Sequence, residues 1–202
     1  MAKTAITAIV DFDGVLAPET VEHTLNRHIP SILERVPILH SLVKNIWYAT
    51  GDFLHLGAYF AANEVVNGQK VVLNEQVIKA LNKARDEGHV GKVIVHTGNW
   101  NVKHIEGLLR DAGLQFEKVV YEPLTKIDKA ALQVIDKELK EGNRPLYISD
   151  SGASFRYFAT MGKAHHFVFW PTAYNRLEAR LMPSSHRKNY KDETELYNLL
   201  RG

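Results

Sequence analysis

The most informative stretch of this chain is Ile9-Val10-Asp11-Phe12-Asp13-Gly14-Val15-Leu16. It continues an apolar run, Ala5–Val10, and an extended backbone directs Asp11 and Asp13 to the same side. Two carboxylates at the end of a buried strand are costly to bury, and open α/β sheets place their ligands at that end. The stretch therefore predicts a bound cation, acid–base chemistry or a carboxylate nucleophile.

An ordinary turn is the alternative, because Asp-x-Asp-Gly also opens turns and calcium loops. A calcium loop of the EF-hand type needs further oxygen ligands and a closing glutamate. Val15, Ala17 and Pro18 follow instead, which argues against calcium. Three later segments fit a site at the end of the first strand and favour that reading over a turn.

Composition limits the classes of protein that remain. The 202 residues are 45% hydrophobic and 24% charged, which is typical of one globular domain or one domain with a modest insertion. The chain has no cysteine, so it forms no disulfide, thiolate metal site or thiol nucleophile. The first apolar run is too short for a secretory signal, and no stretch approaches a membrane span, so we expect a cytoplasmic protein. A net charge of +2 gives no support to nucleic-acid binding.

Strand-length apolar runs recur along the chain, at Ala5–Val10, Val93–His96, Val119–Tyr121, Leu146–Ser149 and Phe167–Trp170. Between the later runs, apolar residues follow helical spacing, in faces that begin at Val77, Val102, Ala131 and Phe155, and a last helix is expected at Glu193–Leu200. This alternation predicts an α/β fold with a Rossmann-like, doubly wound parallel sheet.

The interval between Asp11 and Thr97 is far longer than the roughly 30 residues of one βαβ unit. The surplus, residues 19–68, has the periodicity of helices interrupted by Pro30 and Pro37. We interpret it as a helical cap inserted over the carboxyl ends of the strands. Residues 1–18 and 69–202 then form the core domain. A helical extension that only enlarges the core is the alternative.

The second chemical segment ends another apolar run, with Thr97, Gly98 and Asn99. The Thr97 hydroxyl could donate to an anion, and the N–H groups of a helix that starts near Asn99 or Asn101 would point to the same place. Taken alone, the segment is better explained by an asparagine that caps a helix.

The third segment is Glu122-Pro-Leu-Thr125-Lys126-Ile-Asp128-Lys129. Thr125 and Asp128 have capping-box spacing, which would place Lys126 at the first helical position. A cation there opposes the helix dipole, so Lys126 suggests a bound anion. A lysine that points into water is an equal alternative, and Lys129 is the other candidate.

The fourth segment ends a buried run with Asp150, followed by Ser151 and Gly152. Alone, Asp150 would be read as a helix cap. Together with the others it completes a site: three carboxylates can hold Mg²⁺, and a lysine, a hydroxyl and helix N-termini can hold phosphate. All four segments lie at the carboxyl ends of predicted parallel strands.

The order and spacing of the four motifs resemble the haloacid dehalogenase superfamily, whose members are mostly Mg²⁺-dependent phosphatases and phosphotransferases. The resemblance covers about three quarters of the chain and places the family's cap insertion at residues 19–68. It implies that Asp11 is the nucleophile and that Asp13 is the general acid and then the base. It also implies that Thr97, Gly98 and Lys126 bind the phosphoryl group.

The resemblance further implies Mg²⁺ bound by Asp11, the backbone carbonyl of Asp13, and Asp150. Asp13 favours phosphoryl transfer over dehalogenation, because members that cleave carbon–halogen bonds lack this second aspartate. Ser154 stands where the family usually has a second acid. The expected function is hydrolysis of a small phosphorylated metabolite through an aspartyl-phosphate, with no nucleic-acid or membrane partner. A phosphotransferase or mutase, or a non-catalytic phosphate-binding or regulatory member, is the alternative.

Overall fold

The computed structural model describes residues 5–18, 71–123, 128–170 and 193–202. The predicted cap, residues 19–68, lies outside these ranges. The strands are β1 (Ile6–Asp11), β2 (Val90–Thr97), β3 (Lys118–Tyr121), β4 (Arg144–Ser149) and β5 (Phe167–Phe169). The helices are α1 (Glu75–Asp86), α2 (Val102–Asp111), α3 (Lys129–Lys140), α4 (Gly152–Thr160) and α5 (Glu193–Arg201).

The five strands form one parallel sheet in the order β3-β2-β1-β4-β5, which confirms the predicted α/β parallel sheet. The strand with the two-aspartate motif occupies the centre. Asp11 lies opposite His96 on β2, and Val10 lies opposite Ile148 on β4. The carboxyl ends of the three central strands are therefore adjacent, and the motifs that follow them meet at one edge.

Helices cover both faces of the sheet because the side chains of β1 alternate between two cores. Ala8 and Val10 pack with the apolar faces of α1, α2 and α5. Ile9 points to the other side, where it packs with α3 and α4. Full burial of Val10 or Ile9 stabilises the fold by roughly 1.5–3 kcal/mol each. The sheet is doubly wound, as predicted.

The start of the third helix differs from the prediction. Gly113 and Gly162, at φ +76° and +67°, follow α2 and α4 in the left-handed conformation that commonly ends a helix. The predicted helix start at Lys126 is wrong, because α3 begins at Lys129 with Asp128 as its N-cap residue. Thr125 itself lies outside the described residues. Ser151, rather than Asp150, caps α4: its side chain accepts from the Ser154 N–H.

At the opposite, amino-terminal end of the sheet, a buried carboxylate links α3 to the strands. Glu138 of α3 is 2% exposed and accepts from Thr7, Lys92 and Asn143 at 2.7–3.1 Å. Burial alone would raise the pKa of Glu138, but these donors outweigh it and lower the pKa overall. This cluster ties α3 to β1, β2 and the start of β4.

Among the described segments, no helix combines the length and apolar character needed to cross a bilayer.

Candidate functional site

The motif that ends β1 turns sharply back on itself. The Leu16 N–H donates to Asp11 O at 3.3 Å, and the Ala17 N–H donates to Phe12 O at 2.7 Å. Gly14 takes φ +85°, which an L side chain adopts only with strain. Phe12 is fully buried, whereas Asp11 and Asp13 are partly exposed. The turn thus anchors its apolar residue in the core and leaves both carboxylates at the sheet edge.

The second motif is hydrogen-bonded to the first. Thr97, fully buried at the end of β2, donates through Oγ1 to Asp13 Oδ2 at 3.1 Å. The same hydroxyl oxygen accepts from the Asn99 N–H at 3.0 Å. Asn99 Oδ1 in turn accepts from the N–H of Asn101, the N-cap residue of α2. The hydroxyl therefore fixes the Asp13 carboxylate beside the start of α2.

The fourth motif follows β4, which lies on the opposite side of β1 from β2. Ser149, the last residue of β4, donates to Asp11 Oδ2 at 2.8 Å. Asp150 follows it directly and is 7% exposed. Ser154, in place of the family's second acid, is buried in the first turn of α4. The structure thus brings Asp11, Asp13, Thr97 and Asp150 together, although they lie far apart in the chain.

The Asp11 carboxyl lies in a strongly negative environment. Burial raises its pKa well above the ordinary value, and the carboxylates of Asp150, Asp13 and Asp128 raise it further. The hydrogen bond from Ser149 acts in the opposite direction. Crowded carboxylates of this kind are stabilised by a bound cation, and oxygen donors are what Mg²⁺ prefers.

Few side chains of the described residues are placed to bind a metal ion together. Among the described residues, no group of three or more histidine or acidic side chains is placed to hold a metal ion together. The set implied by the resemblance needs only two carboxylates, Asp11 and Asp150, with the backbone carbonyl of Asp13. This smaller set suits Mg²⁺, which commonly binds one or two protein carboxylates and completes its shell with water and phosphate.

The predicted phosphate-binding residues are only partly described. Gly98 follows Thr97 at the carboxyl end of β2 and is partly exposed. Lys126 lies outside the described residues. Lys129, its alternative, is the exposed first residue of α3. Neither lysine is therefore assigned by the structure, and Lys126 remains a prediction.

Sequence reasoning missed a buried chain of polar side chains beside the site. Tyr147 of β4 donates to Asp128 Oδ1 at 2.8 Å, and its hydroxyl oxygen lies 3.2 Å from His96 Nδ1. His96 Nε2 lies 3.2 Å from Glu122 Oε2, which also accepts from the Ala130 N–H at 2.7 Å. The sequence signal was available: His96 and Tyr147 are polar residues within otherwise apolar strands.

Comparison with known proteins supports the fold. No family model matches the chain, and no curated protein matches its sequence. Among solved structures, the chain is similar to a HAD-superfamily hydrolase, subfamily IA, variant 1, from Geobacter sulfurreducens PCA, at 19% identity and a TM-score of 0.52 over 98% of this chain and 97% of that one. It is also similar to CbbY from Rhodobacter sphaeroides, solved in complex with phosphate, at 16% identity and a TM-score of 0.46 over 85% and 88% of the two chains. The chain has the fold of the haloacid dehalogenase superfamily, as the motifs predicted.

Proposed function

We propose that this protein is a Mg²⁺-dependent phosphomonoester hydrolase that acts on a small phosphorylated metabolite through an aspartyl-phosphate at Asp11. One observation carries the proposal: Asp11, Asp13, Thr97 and Asp150 meet at the carboxyl end of the central strand. Ligands of doubly wound sheets bind at this edge. The fold of the solved HAD-superfamily hydrolase is consistent with this chemistry.

Asp11 is the nucleophile in this mechanism. Its carboxylate attacks phosphorus, a new O–P bond forms, and the bond from phosphorus to the leaving-group oxygen breaks. Ser149 holds Oδ2 by its 2.8 Å hydrogen bond, which leaves Oδ1 as the oxygen for attack. A covalent intermediate divides one difficult hydrolysis into two easier steps.

Asp13 moves the proton in both steps. In the first step its carboxylic acid protonates the departing oxygen, and the leaving group departs as a neutral alcohol. In the second, the Asp13 carboxylate takes a proton from water as the water oxygen attacks phosphorus and the bond to Asp11 breaks. The hydrogen bond from Thr97 holds this carboxyl in one orientation.

Negative charge on the nucleophile and on phosphate must be offset for the two to approach. Mg²⁺ would be held by Asp11, the Asp13 carbonyl and Asp150, and when bound it supplies that neutralisation. Lys126 and the N–H groups at the start of α2 are the proposed partners of the phosphoryl oxygens. A helical cap over this edge would restrict substrates to small molecules, and a cytoplasmic location remains part of the proposal.

The same nucleophile would serve a phosphotransferase or mutase, in which an acceptor alcohol replaces water in the second step. A non-catalytic phosphate-binding protein is the third possibility, and it is suggested by Ser154 in place of an acid. Product analysis with and without an acceptor alcohol separates hydrolysis from transfer.

Release of inorganic phosphate from an aryl phosphate and from a panel of phosphorylated metabolites, with Mg²⁺ and with EDTA, tests the proposal. We expect Mg²⁺-dependent release by the wild type and no release by Asp11→Asn. Equal release by the two proteins, or none across the panel, would refute the hydrolase. In the second case, retained phosphate binding would favour the non-catalytic alternative.

A further inference from the structure

Asp128 is a buried carboxylate to which the mechanism above gives no role. It is 7% exposed and adopts φ +52°, and its side chain makes no capping hydrogen bond at the start of α3. Its Oδ1 accepts from Tyr147 at 2.8 Å, whereas its Oδ2, which is also buried, has no hydrogen-bond partner among the described residues. A carboxylate buried with so few donors is costly unless a positive charge lies nearby.

The chain of polar side chains that ends at Asp128 crosses the sheet on the face to which Asp11 points. Asp11 pairs with His96 on β2, and Ile9 pairs with Tyr147 on β4. Alternate residues of a strand share a face, so all four side chains lie on the same side of the sheet. The strands β2 and β4 are about 10 Å apart, because β1 lies between them. The Tyr147 hydroxyl oxygen nonetheless lies 3.2 Å from His96 Nδ1, so the two side chains meet over the carboxyl end of β1.

Tyr147 lies close to both carboxylates. Its hydroxyl donates to Asp128, and Ser149, two residues further along β4, donates to Asp11 Oδ2. Burial, and then the charges of Asp11 and Asp128, raise the pKa of the Tyr147 hydroxyl well above its ordinary value. The hydroxyl therefore stays protonated, remains a donor and fixes the orientation of the Asp128 carboxylate.

The charge of Asp128 adds to that of the proposed cation site. Its carboxylate is one of three that raise the pKa of Asp11, after those of Asp150 and Asp13. Like charges in this arrangement repel each other, and a divalent cation relieves the repulsion when it binds. The site therefore favours a cation more strongly than Asp11 and Asp150 alone would.

We propose that Asp128 is a further acidic residue of the cation site, which raises the affinity for Mg²⁺ through its charge, and that Tyr147 is the positioning residue that holds it there. Asp128 does not bond to the ion directly, because no three acidic or histidine side chains of the described residues are placed to hold one ion together. This inference rests on the cation site of the proposed function, but not on catalysis.

Asp128→Asn removes the charge with little change of shape. An asparagine can still accept from Tyr147, and it is among the residues that most readily adopt a positive φ. In calorimetry with Mg²⁺ alone, we expect the affinity of this variant to fall at least about tenfold. Asp136→Asn is the matched control, because it removes the same charge from a much more exposed position on α3. It should leave the Mg²⁺ affinity within about twofold.

Melting curves in EDTA separate this role from a purely structural one. A carboxylate beside the amino terminus of α3 would also stabilise that helix through its dipole. If that were the only role of Asp128, Asp128→Asn would melt at a lower temperature and bind Mg²⁺ as the wild type does. We expect weaker binding together with a melting temperature no lower than that of the wild type. Unchanged affinity, a loss of affinity that accompanies a lower melting temperature, or an equal loss in Asp136→Asn would overturn the proposal.

Tyr147→Phe tests the positioning residue. The change keeps the ring and leaves Asp128 charged, but it removes the donor that orients the carboxylate. We expect the Mg²⁺ affinity to fall about threefold or more, the effect of losing roughly one hydrogen bond. Tyr197→Phe is its control, because that hydroxyl also donates to a carboxylate, Glu87, which precedes β2. Equal affinities in the two tyrosine variants would refute the role of Tyr147, and this comparison decides if Asp128→Asn does not fold.

The outcomes separate this inference from the proposed hydrolase. Mg²⁺ binding that weakens as expected, in a protein whose wild type releases no phosphate from any substrate, would refute the hydrolase and leave the role of Asp128 intact. Mg²⁺-dependent phosphate release by the wild type, with unchanged affinity in Asp128→Asn, would refute the role of Asp128 alone. A wild type that binds no Mg²⁺ would overturn that role whatever the phosphatase assay shows.

Discussion

Ser149 donates a 2.8 Å hydrogen bond to Asp11 Oδ2 and so joins two residues that are 138 positions apart in the chain. The contact is possible because β4 pairs directly with β1, with Val10 opposite Ile148. Strand pairing thus places a hydroxyl on one oxygen of the proposed nucleophile and leaves the other oxygen free of that contact.

Ser149→Ala should reduce kcat about tenfold, the effect of losing one hydrogen bond to a charged group. The hydroxyl stabilises the ionised, attacking form of Asp11, because its donation lowers the pKa of that carboxyl. Steady-state phosphate release measures the change. Thr160→Ala is the control, since that hydroxyl donates to Tyr157 O on an exposed part of α4. Equal rates in both variants would contradict the role given to Ser149.

Asp11→Asn should stabilise the metal-free protein. Burial and the neighbouring carboxylates raise the folded-state pKa of Asp11, so the folded protein loses stability as the pH rises from the unfolded pKa through the folded one. At neutral pH the uncharged amide removes this cost. In EDTA we expect the melting temperature to rise by roughly 2–4 °C, the shift for about 1 kcal/mol in a chain of this size.

Asp111→Asn, at an exposed position at the end of α2, is the control for that experiment and should leave the melting temperature unchanged. Addition of Mg²⁺ should raise the melting temperature of the wild type but not of Asp11→Asn. A variant less stable than the wild type in EDTA would show that the carboxylates do not repel each other as described.

Lys126→Ala should lower kcat/KM at least about a hundredfold, because a charge-assisted hydrogen bond to a transferring phosphoryl group contributes several kcal/mol. Lys129→Ala is the matched control, only three residues away, and should change kcat/KM little. Steady-state kinetics with an aryl phosphate measures both. The opposite ranking would transfer the phosphate-binding role to Lys129.

Glu138→Gln should destabilise the protein by about 2 kcal/mol at neutral pH, because its buried oxygens accept from Thr7, Lys92 and Asn143. The folded-state pKa of Glu138 lies below its ordinary value of 4.5, so this stabilisation is present above the ordinary value and is lost as the pH falls through the folded one.

Urea unfolding of the wild type and Glu138→Gln across the pH range therefore tests the cluster at the amino-terminal end of the sheet. The difference in unfolding free energy should shrink as the pH falls below 4.5. Glu141→Gln, at a more exposed residue that also pairs with Lys92, should show little difference at any pH. A difference that does not change with pH would show that the Glu138 charge does not stabilise the fold.

The positions of the strands and helices along the chain were predictable from local sequence patterns. The apolar run before Asp11 and the apolar faces of α1 to α4 give strong period-two and helical signals, and the structure confirms each element within a few residues. The carboxyl ends of parallel strands lie at one edge, so the convergence of Asp11, Thr97 and Asp150 followed from the fold class alone.

The buried chain of polar side chains beside the site was not predictable, because its contacts depend on which strands are neighbours in the sheet. Tyr147 and His96 are 51 residues apart in the chain, on β4 and β2 to either side of β1. No periodicity in the sequence predicts which strands are neighbours in the sheet. The predicted start of α3 was wrong for a related reason. The local pattern at Thr125 indicates a capping box, whereas the Ala130 N–H donates to Glu122 on a neighbouring segment.

Covalent capture of the intermediate tests whether Asp11 carries the phosphoryl group during turnover. The wild type, quenched in acid during turnover of an aryl phosphate with Mg²⁺, is digested and mapped by mass spectrometry. We expect a phosphoryl group on the peptide that contains Asp11, and none in Asp11→Asn. Turnover with no protein-bound phosphoryl group, or with one on a different residue, would contradict it.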